Sequence, residues 1–232
     1  MHKPLSKDST LHSLPIPGET RERSSCLQDT QSLRRTGAFG ILFVLLCMFY
    51  TPPTLIWLGI ISFKYRFHAL VCVLTGLFFY CLLRRFSLHE LGFRKDNLTT
   101  SMRWNLLFSL IGAVGLYATH KAGLLRPRHA TYLPYAYAAY FFILGPVQEI
   151  VFRGILFAEM KRIRILDKRW ILLTSSLSFC FLHIIYRHPP LLIIAFISGL
   201  AWSAIFTKWP NIWSIALSHS LLGALAMSLG VI

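Results

Sequence analysis

One carboxylate of this chain lies deep inside an apolar segment, where a charge needs a partner. Of the nine acidic residues, only Glu149 falls well inside such a segment, "GPVQEIVFRGILF" at 145–157. An unpaired charge at that depth costs about 3 kcal/mol or more. Arg153 follows one helical turn later and is the expected partner. The pair alone fits a structural ion pair as well as a functional site.

Two histidines also lie inside apolar segments, His183 in "SFCFLHII" and His219 in "ALSHSLLG". A lone histidine in such a place is more often a packed core residue. Neutral imidazoles can, however, hold a water, polarise an oxygen or bind a metal, and a nearby carboxylate can take a proton from that water. Together with Glu149 and Arg153, the two histidines predict a site that adds water across a carbonyl group.

Gly145 and Pro146 are expected to interrupt the helix just before these residues, because Pro146 has no amide hydrogen to donate. If the helix restarts there, Gln148 and Glu149 occupy its first turn. Free N–H groups in a first turn favour an anion or a polarised carbonyl oxygen. Irregular backbone at membrane depth is tolerated where it is buried in protein or lines a wet cavity.

The composition predicts the elements that must position these side chains. The 232 residues are 55% hydrophobic and 14% charged, whereas soluble domains carry about 25% charged residues. We therefore expect an all-α fold, a polytopic transmembrane helical bundle with about 20 residues per span. Seven spans are predicted, near 38–62, 67–83, 104–120, 133–158, 170–187, 190–207 and 211–231.

The domain organisation follows from the same pattern. Residues 1–37 are polar and lack the apolar core of a signal peptide, so we expect a disordered cytoplasmic tail. Residues 38–232 form one membrane-embedded helical domain. Pro52 and Pro53 predict either a kink or a short re-entrant hairpin in the first span. The segment 84–103 mixes charges with Leu and Phe, and is expected to lie at the membrane surface.

The net charge of +15 comes from short basic blocks between the apolar segments. The blocks that follow spans two and four are the richest in Lys and Arg, and Arg34 and Arg35 directly precede span one. This alternation places the N-terminus in the cytoplasm and argues against a nucleic-acid partner. The five cysteines form no CxxC pair, so neither a disulfide framework nor a zinc site is expected.

The motifs resemble those of the CAAX-protease and bacteriocin-processing family of intramembrane glutamic proteases, also called ABI proteins. The family motif EExxxR, usually followed by Gly, reads "QEIVFRG" at 148–154, and FxxxH is matched by Phe179 and His183. The third motif, a histidine followed four residues later by Asn or a small residue, reads "HSLLG" from His219 to Gly223. The resemblance covers about residues 85–231.

The resemblance implies an all-helical protease of the inner (plasma) membrane of a bacterium, with a site open towards the cytoplasm. In the family the first Glu is taken as the base that activates water together with the two histidines. The second Glu and the Arg support the site, and the Asn after the last His helps to hold the oxyanion. An older interpretation places a metal on these ligands, but no cofactor is predicted here. The implied partners are the lipid bilayer and a membrane-anchored substrate: a prenylated CAAX-type protein, a leader peptide or a C-terminal sorting signal.

The sequence departs from the family pattern at two positions. Gln148 stands where the first Glu is usual, and an amide cannot accept a proton from water. Three interpretations are open. In the first, Glu149 acts as the base while Gln148 positions the water or the substrate carbonyl. In the second the chain is a catalytically silent relative, and in the third Gln148 is an engineered substitution that traps substrate. Gly223 stands where Asn is common, and leaves room for a close helix approach.

The leading hypothesis is an intramembrane endopeptidase. Glu149 would activate water, His183 and His219 would polarise the water or the scissile carbonyl, and Arg153 would orient Glu149. The main alternative is a silent relative that acts as a membrane scaffold or immunity protein. A proton-coupled transporter is a third hypothesis, against which the lack of visible inverted repeats argues.

Overall fold

The structure is a computed structural model that describes residues 37, 39–124, 134–163 and 167–231. The chain divides into two compact units, Met1–Ile41 and Leu42–Ile232. Apart from residue 37, the predicted tail at 1–37 lies outside the described residues. Apart from residues 39–41 at the start of the first helix, the architecture and the site described below belong to the second unit.

Seven helices of more than ten residues account for most of the described residues, which contain no β-strand. They are α1 (Phe39–Trp57), α2 (Arg66–Arg84), α3 (Leu98–Lys121), α4 (Pro134–Ile163), α5 (Lys168–Leu182), α6 (Pro189–Lys208) and α7 (Ile212–Ser228). Short 3-10 turns precede α2 at Phe63–Tyr65 and follow α5 at His183–Tyr186. The all-α prediction is therefore confirmed.

The helices form a membrane-embedded bundle. By length and composition α1, α4, α5, α6 and the segment Phe63–Arg84 can each cross a bilayer, and α7 is a shorter apolar helix. Large apolar side chains such as Leu83 and Phe142 point outwards, where lipid would cover them. The chain is an integral membrane protein.

The structure tests the sequence-based expectations for two proline-containing segments. Helix α1 runs through Pro52 and Pro53 and ends at Trp57, so the first span is not a re-entrant hairpin. The predicted restart at Pro146 is wrong, because α4 is helical from end to end. A π-helical segment at Tyr140–Leu144 precedes Gly145, whose N–H donates to the carbonyl of Tyr140. This wider turn accommodates the missing donor of Pro146 without breaking the helix.

Helices α3 and α7 are joined by a buried row of polar side chains. Ser101 and Ser214 are hydrogen bonded at 2.6 Å, and Ser109 and Ser218 at 2.8 Å. Between them the side-chain amide of Asn105 donates to Ser214 at 3.1 Å. Small hydroxyl residues allow close helix approach and provide hydrogen bonds inside a membrane. This row fixes the position of α7, which carries His219.

One end of the bundle is held by two ion pairs that we call the basic clasp: Arg84 with Glu159, and Arg162 with Glu90. The distances are 2.7 and 2.8 Å, and Glu159 is fully buried at the end of α4. Hydrogen bonds from the Arg162 guanidinium lower the pKa of Glu90 to about 2. The clasp brings the connections after α2 and α4 to the same end of the bundle.

Two glycines allow the helices that carry the site to approach each other closely. A Cβ at Gly145 would lie 2.6 Å from Oγ of Ser220, so α4 and α7 pack backbone to backbone there. A Cβ at Gly199 would lie 3.3 Å from Cα of Ser176, which brings α5 and α6 together. These close contacts bring α6 and α7 within hydrogen-bonding distance of the polar side chains of α4.

Candidate active site

Glu149 lies near the middle of α4 and is fully buried. Its Oε1 accepts hydrogen bonds from Nη1 of Arg153 at 3.1 Å and from Nδ1 of His219 at 2.6 Å. Its Oε2 is buried and has no hydrogen-bond partner among the described residues. One carboxylate oxygen is therefore committed to the protein, and the other is an unused acceptor.

Arg153 is also fully buried and joins three helices. Its Nη2 donates to the carbonyl of Gly199 at 3.0 Å, and its guanidinium lies 4.7 Å from the centre of the Phe179 ring. A second aromatic ring, that of Trp202, lies at 5.6 Å. Removing one partner of such a buried ion pair costs about 3–5 kcal/mol, because the other charge is left uncompensated.

His219 is engaged at both ring nitrogens. A carboxylate only accepts hydrogen bonds, so Nδ1 carries the proton in the bond to Glu149. In the neutral ring Nε2 is then an acceptor, and it lies 3.1 Å from Oη of Tyr140. The indole of Trp202 stacks on the imidazole with ring centres 4.7 Å apart. The chain Tyr140–His219–Glu149 is thus continuous across α4 and α7.

His183 begins the 3-10 turn after α5, and its side chain is buried. Its Nδ1 lies 2.9 Å from the carbonyl oxygen of Phe179, which can only accept, so Nδ1 carries the proton. The neutral ring consequently presents a lone pair at Nε2. The Phe179 ring contacts both imidazoles, with centre distances of 4.9 Å to His183 and 5.3 Å to His219.

Gln148 faces a different part of the molecule from Glu149. It lines an open, apolar cavity between α1, α2, α4 and the end of α5. Leu182 and Ile185, which flank His183 along the chain, line the same cavity. Oε1 of Gln148 is buried there without a hydrogen-bond partner among the described residues. The amide is therefore the main polar group that α4 presents to this cavity.

The structure brings Glu149, Arg153 and His219 into direct contact. His183 joins them through Phe179, whereas the side chain of Gln148 faces the cavity instead. Two residues that contact His219, Tyr140 and Trp202, were not predicted. Aromatic residues in apolar spans are usually core residues, and no motif distinguishes these two from the others.

The described residues do not provide a set of side chains suited to a metal ion. No group of three His, Cys, Asp or Glu side chains converges within the described ranges. Glu149 and His219 instead hydrogen bond to each other, with the imidazole N–H directed at the carboxylate.

The membrane bundle buries the ion pair of Glu149 and Arg153 in direct contact with the imidazole of His219. Residues 130–225 match the family described as type II CAAX prenyl endopeptidase, Rce1-like. The match supports the CAAX-protease family that the motifs resemble, and the matched stretch contains every predicted site residue. The curated proteins and the solved structures contain no match to the chain.

Proposed function

We propose that this protein is an intramembrane endopeptidase that hydrolyses a peptide bond of a membrane-anchored substrate. The observation that carries the proposal is the unused Oε2 of the fully buried Glu149. A buried charged oxygen without a partner is costly, and such groups in native proteins call for a functional explanation. A water bound at Oε2 would satisfy the group and become a nucleophile.

In this proposal Glu149 accepts a proton from the attacking water through Oε2. Nε2 of His183 supplies a second acceptor that orients the water, and His219 lies on the side of the carbonyl oxygen. Arg153 fixes Oε1, so that the carboxylate cannot turn its other oxygen away from the site. Gln148, on the cavity wall, positions the substrate backbone through its amide. General base catalysis of this kind contributes about 10²–10⁴-fold to rate.

The substrate classes that suit the proposal are a prenylated CAAX-type protein, a leader peptide and a C-terminal sorting signal. The family match favours the first of them. The apolar cavity beside Gln148 suits the lipid-soluble part of an anchored peptide, because its lining residues are almost all apolar.

The second candidate is a catalytically silent relative that acts as a membrane scaffold or immunity protein. The observation that favours it is the closed arrangement around Oε1 of Glu149, where Arg153 forms an ion pair with the carboxylate and His219 donates a hydrogen bond to it. A purely structural polar network has the same appearance. The presence of Gln148 in place of the usual first Glu also favours a silent relative.

Comparison of membrane-protein termini by mass spectrometry in cells distinguishes the two candidates. The strains carry the native chain, a deletion, Glu149→Gln and Glu159→Gln. Glu159 is a matched control, because it is equally buried and pairs with Arg84 outside the site. We expect peptide ends that are lost in the deletion and in Glu149→Gln but are retained in Glu159→Gln.

A further strain carries Gln148→Glu. If this strain alone produces new peptide ends, the native chain is a silent relative of a protease. If Glu149→Gln leaves every end of the native strain in place while the protein accumulates normally, the endopeptidase proposal is wrong.

A further inference from the structure

The side-chain space of residue 223 is occupied by another residue. Gly223 lies four residues after His219 on α7, so a side chain there would lie beside the imidazole. A Cβ built at Gly223 would collide with Oη, Cε1 and Cζ of Tyr140. The phenol of Tyr140 on α4 therefore occupies the space that a side chain at position 223 of α7 would need.

The backbone of α4 delivers Tyr140 to this place. Tyr140 opens the π-helical segment Tyr140–Leu144, and such wide turns are frequent at functional sites because they redirect side chains. Oγ of Ser220 donates to the carbonyl of Phe141 at 2.7 Å, which ties the wide turn to α7. Tyr140 as a whole is only 8% exposed, so its ring has little freedom to move.

The hydrogen bonds of His219 limit how it can act on a substrate. Nδ1 is held by Glu149, and Nε2 lies 3.1 Å from the hydroxyl of Tyr140. With both ring nitrogens engaged, His219 reaches a substrate either through the phenol or after the phenol moves away. A buried ring packed into the space of Gly223 disfavours the second route.

We propose that the Tyr140 hydroxyl is the substrate-contacting end of the chain Tyr140–His219–Glu149, and that it acts in place of a side chain at position 223. The inference rests on the proposed endopeptidase function. As water attacks, the scissile carbonyl oxygen becomes an oxyanion, and the water proton passes to Glu149. The hydroxyl of Tyr140 turns from Nε2 of His219 to donate a hydrogen bond to that oxyanion, without transferring its proton.

The test uses the purified full chain in proteoliposomes and a synthetic peptide as substrate. The peptide spans a cleavage site identified in cells, at which the new peptide end is lost in Glu149→Gln. Tyr140→Phe removes the hydroxyl and keeps the ring that fills the space. Tyr50→Phe is the matched control, since its hydroxyl bonds Ser178 at 2.8 Å, outside the site. We expect Tyr140→Phe to lower kcat by about 10²–10³-fold, as loss of one oxyanion donor does, with KM nearly unchanged.

Three further variants test whether Tyr140 takes the place of a side chain at position 223. Gly223→Asn alone should be inactive, because the phenol leaves its side chain no room. Tyr140→Ala should lose kcat, and Tyr140→Ala/Gly223→Asn should regain at least about 10-fold of it, since a carboxamide one turn from His219 again provides a donor. A merely structural role for Tyr140 does not predict this recovery.

Full activity of Tyr140→Phe, or activity above that of the native chain, would overturn the inference and show that the phenol is a removable cap. In that case Glu149→Gln would still be inactive, and the endopeptidase proposal would stand. If the native chain hydrolyses nothing or Glu149→Gln remains active, the proposed function fails and the inference fails with it.

Discussion

The two oxygens of the Glu149 carboxylate have separate roles in this account. Oε1 is bound by Arg153 and His219, and Oε2 is free of protein partners among the described residues. The Glu149–Arg153 pair could be predicted from the sequence, because residues four apart share one helix face. The bond between Glu149 and His219 joins different helices, and no sequence spacing indicates it. The sequence predicted that Gly223 leaves room for a close helix approach, but it did not predict that Tyr140 occupies that room.

The lone pair at Nε2 of His183 can be tested separately from its packing. In His183→Asn the shorter amide can still donate to the carbonyl of Phe179, but the acceptor at Nε2 is lost. We expect normal accumulation and at least about 10²-fold slower hydrolysis, the usual contribution of one acid–base group. The measurement is the initial rate with purified protein. His68→Asn, on the exposed surface of α2, is the control, and equal rates for both variants would remove His183 from the mechanism.

At the scale of elements, α4 carries most of the site and also holds the membrane-surface connection. A Cβ at Gly154 would lie 3.2 Å from the carbonyl oxygen of Leu91, so the connection after α2 rests directly on the backbone of α4. The N–H of Ile212 donates to the carbonyl of Gly92 at 2.9 Å, which ties the same connection to the start of α7. The sequence predicted a surface segment at 84–103, but it could not predict its docking on α4, since this depends on the absence of one side chain.

This packing predicts the effect of an alanine at Gly154. The added methyl group meets a backbone atom that cannot rotate away, so we expect Gly154→Ala to lower the free energy of unfolding by about 1–3 kcal/mol. Thermal unfolding in detergent measures the change. Gly115→Ala is the matched control, because its Cβ would meet nothing within 4 Å and alanine favours a helix by about 1 kcal/mol. An unchanged midpoint for Gly154→Ala would contradict the docking.

At the scale of the whole molecule, the cavity extends from the middle of α4 towards the end of the bundle that lies opposite the basic clasp. Arg66 lines the cavity and is the first residue of α2, whereas Arg84 of the clasp is its last. The charge pattern predicts a cytoplasmic clasp, and the family resemblance implies a site open towards the cytoplasm. With the cavity opening away from the clasp, these two expectations cannot both be true. We follow the charge pattern, so the cavity should lie in the half of the membrane away from the cytoplasm.

Cysteine labelling determines the orientation. In a background with the native cysteines replaced by serine, Lys95→Cys and Lys168→Cys should react with a membrane-impermeant maleimide only after permeabilisation. Lys64→Cys, at the other end of the bundle, should react in intact cells. All three positions are exposed in the structure. The opposite labelling pattern would place the cavity on the cytoplasmic side and invert the predicted topology.

The central claim is that Glu149 activates water for peptide-bond hydrolysis. The most direct measurement is the incorporation of oxygen-18 from labelled water by the purified chain in proteoliposomes, followed by mass spectrometry of the new carboxyl end. The peptide is one whose end in cells depends on Glu149. The account predicts one labelled oxygen per cleavage with the native chain and with Glu159→Gln, and no product with Glu149→Gln. Labelled product from Glu149→Gln at the native rate would contradict it.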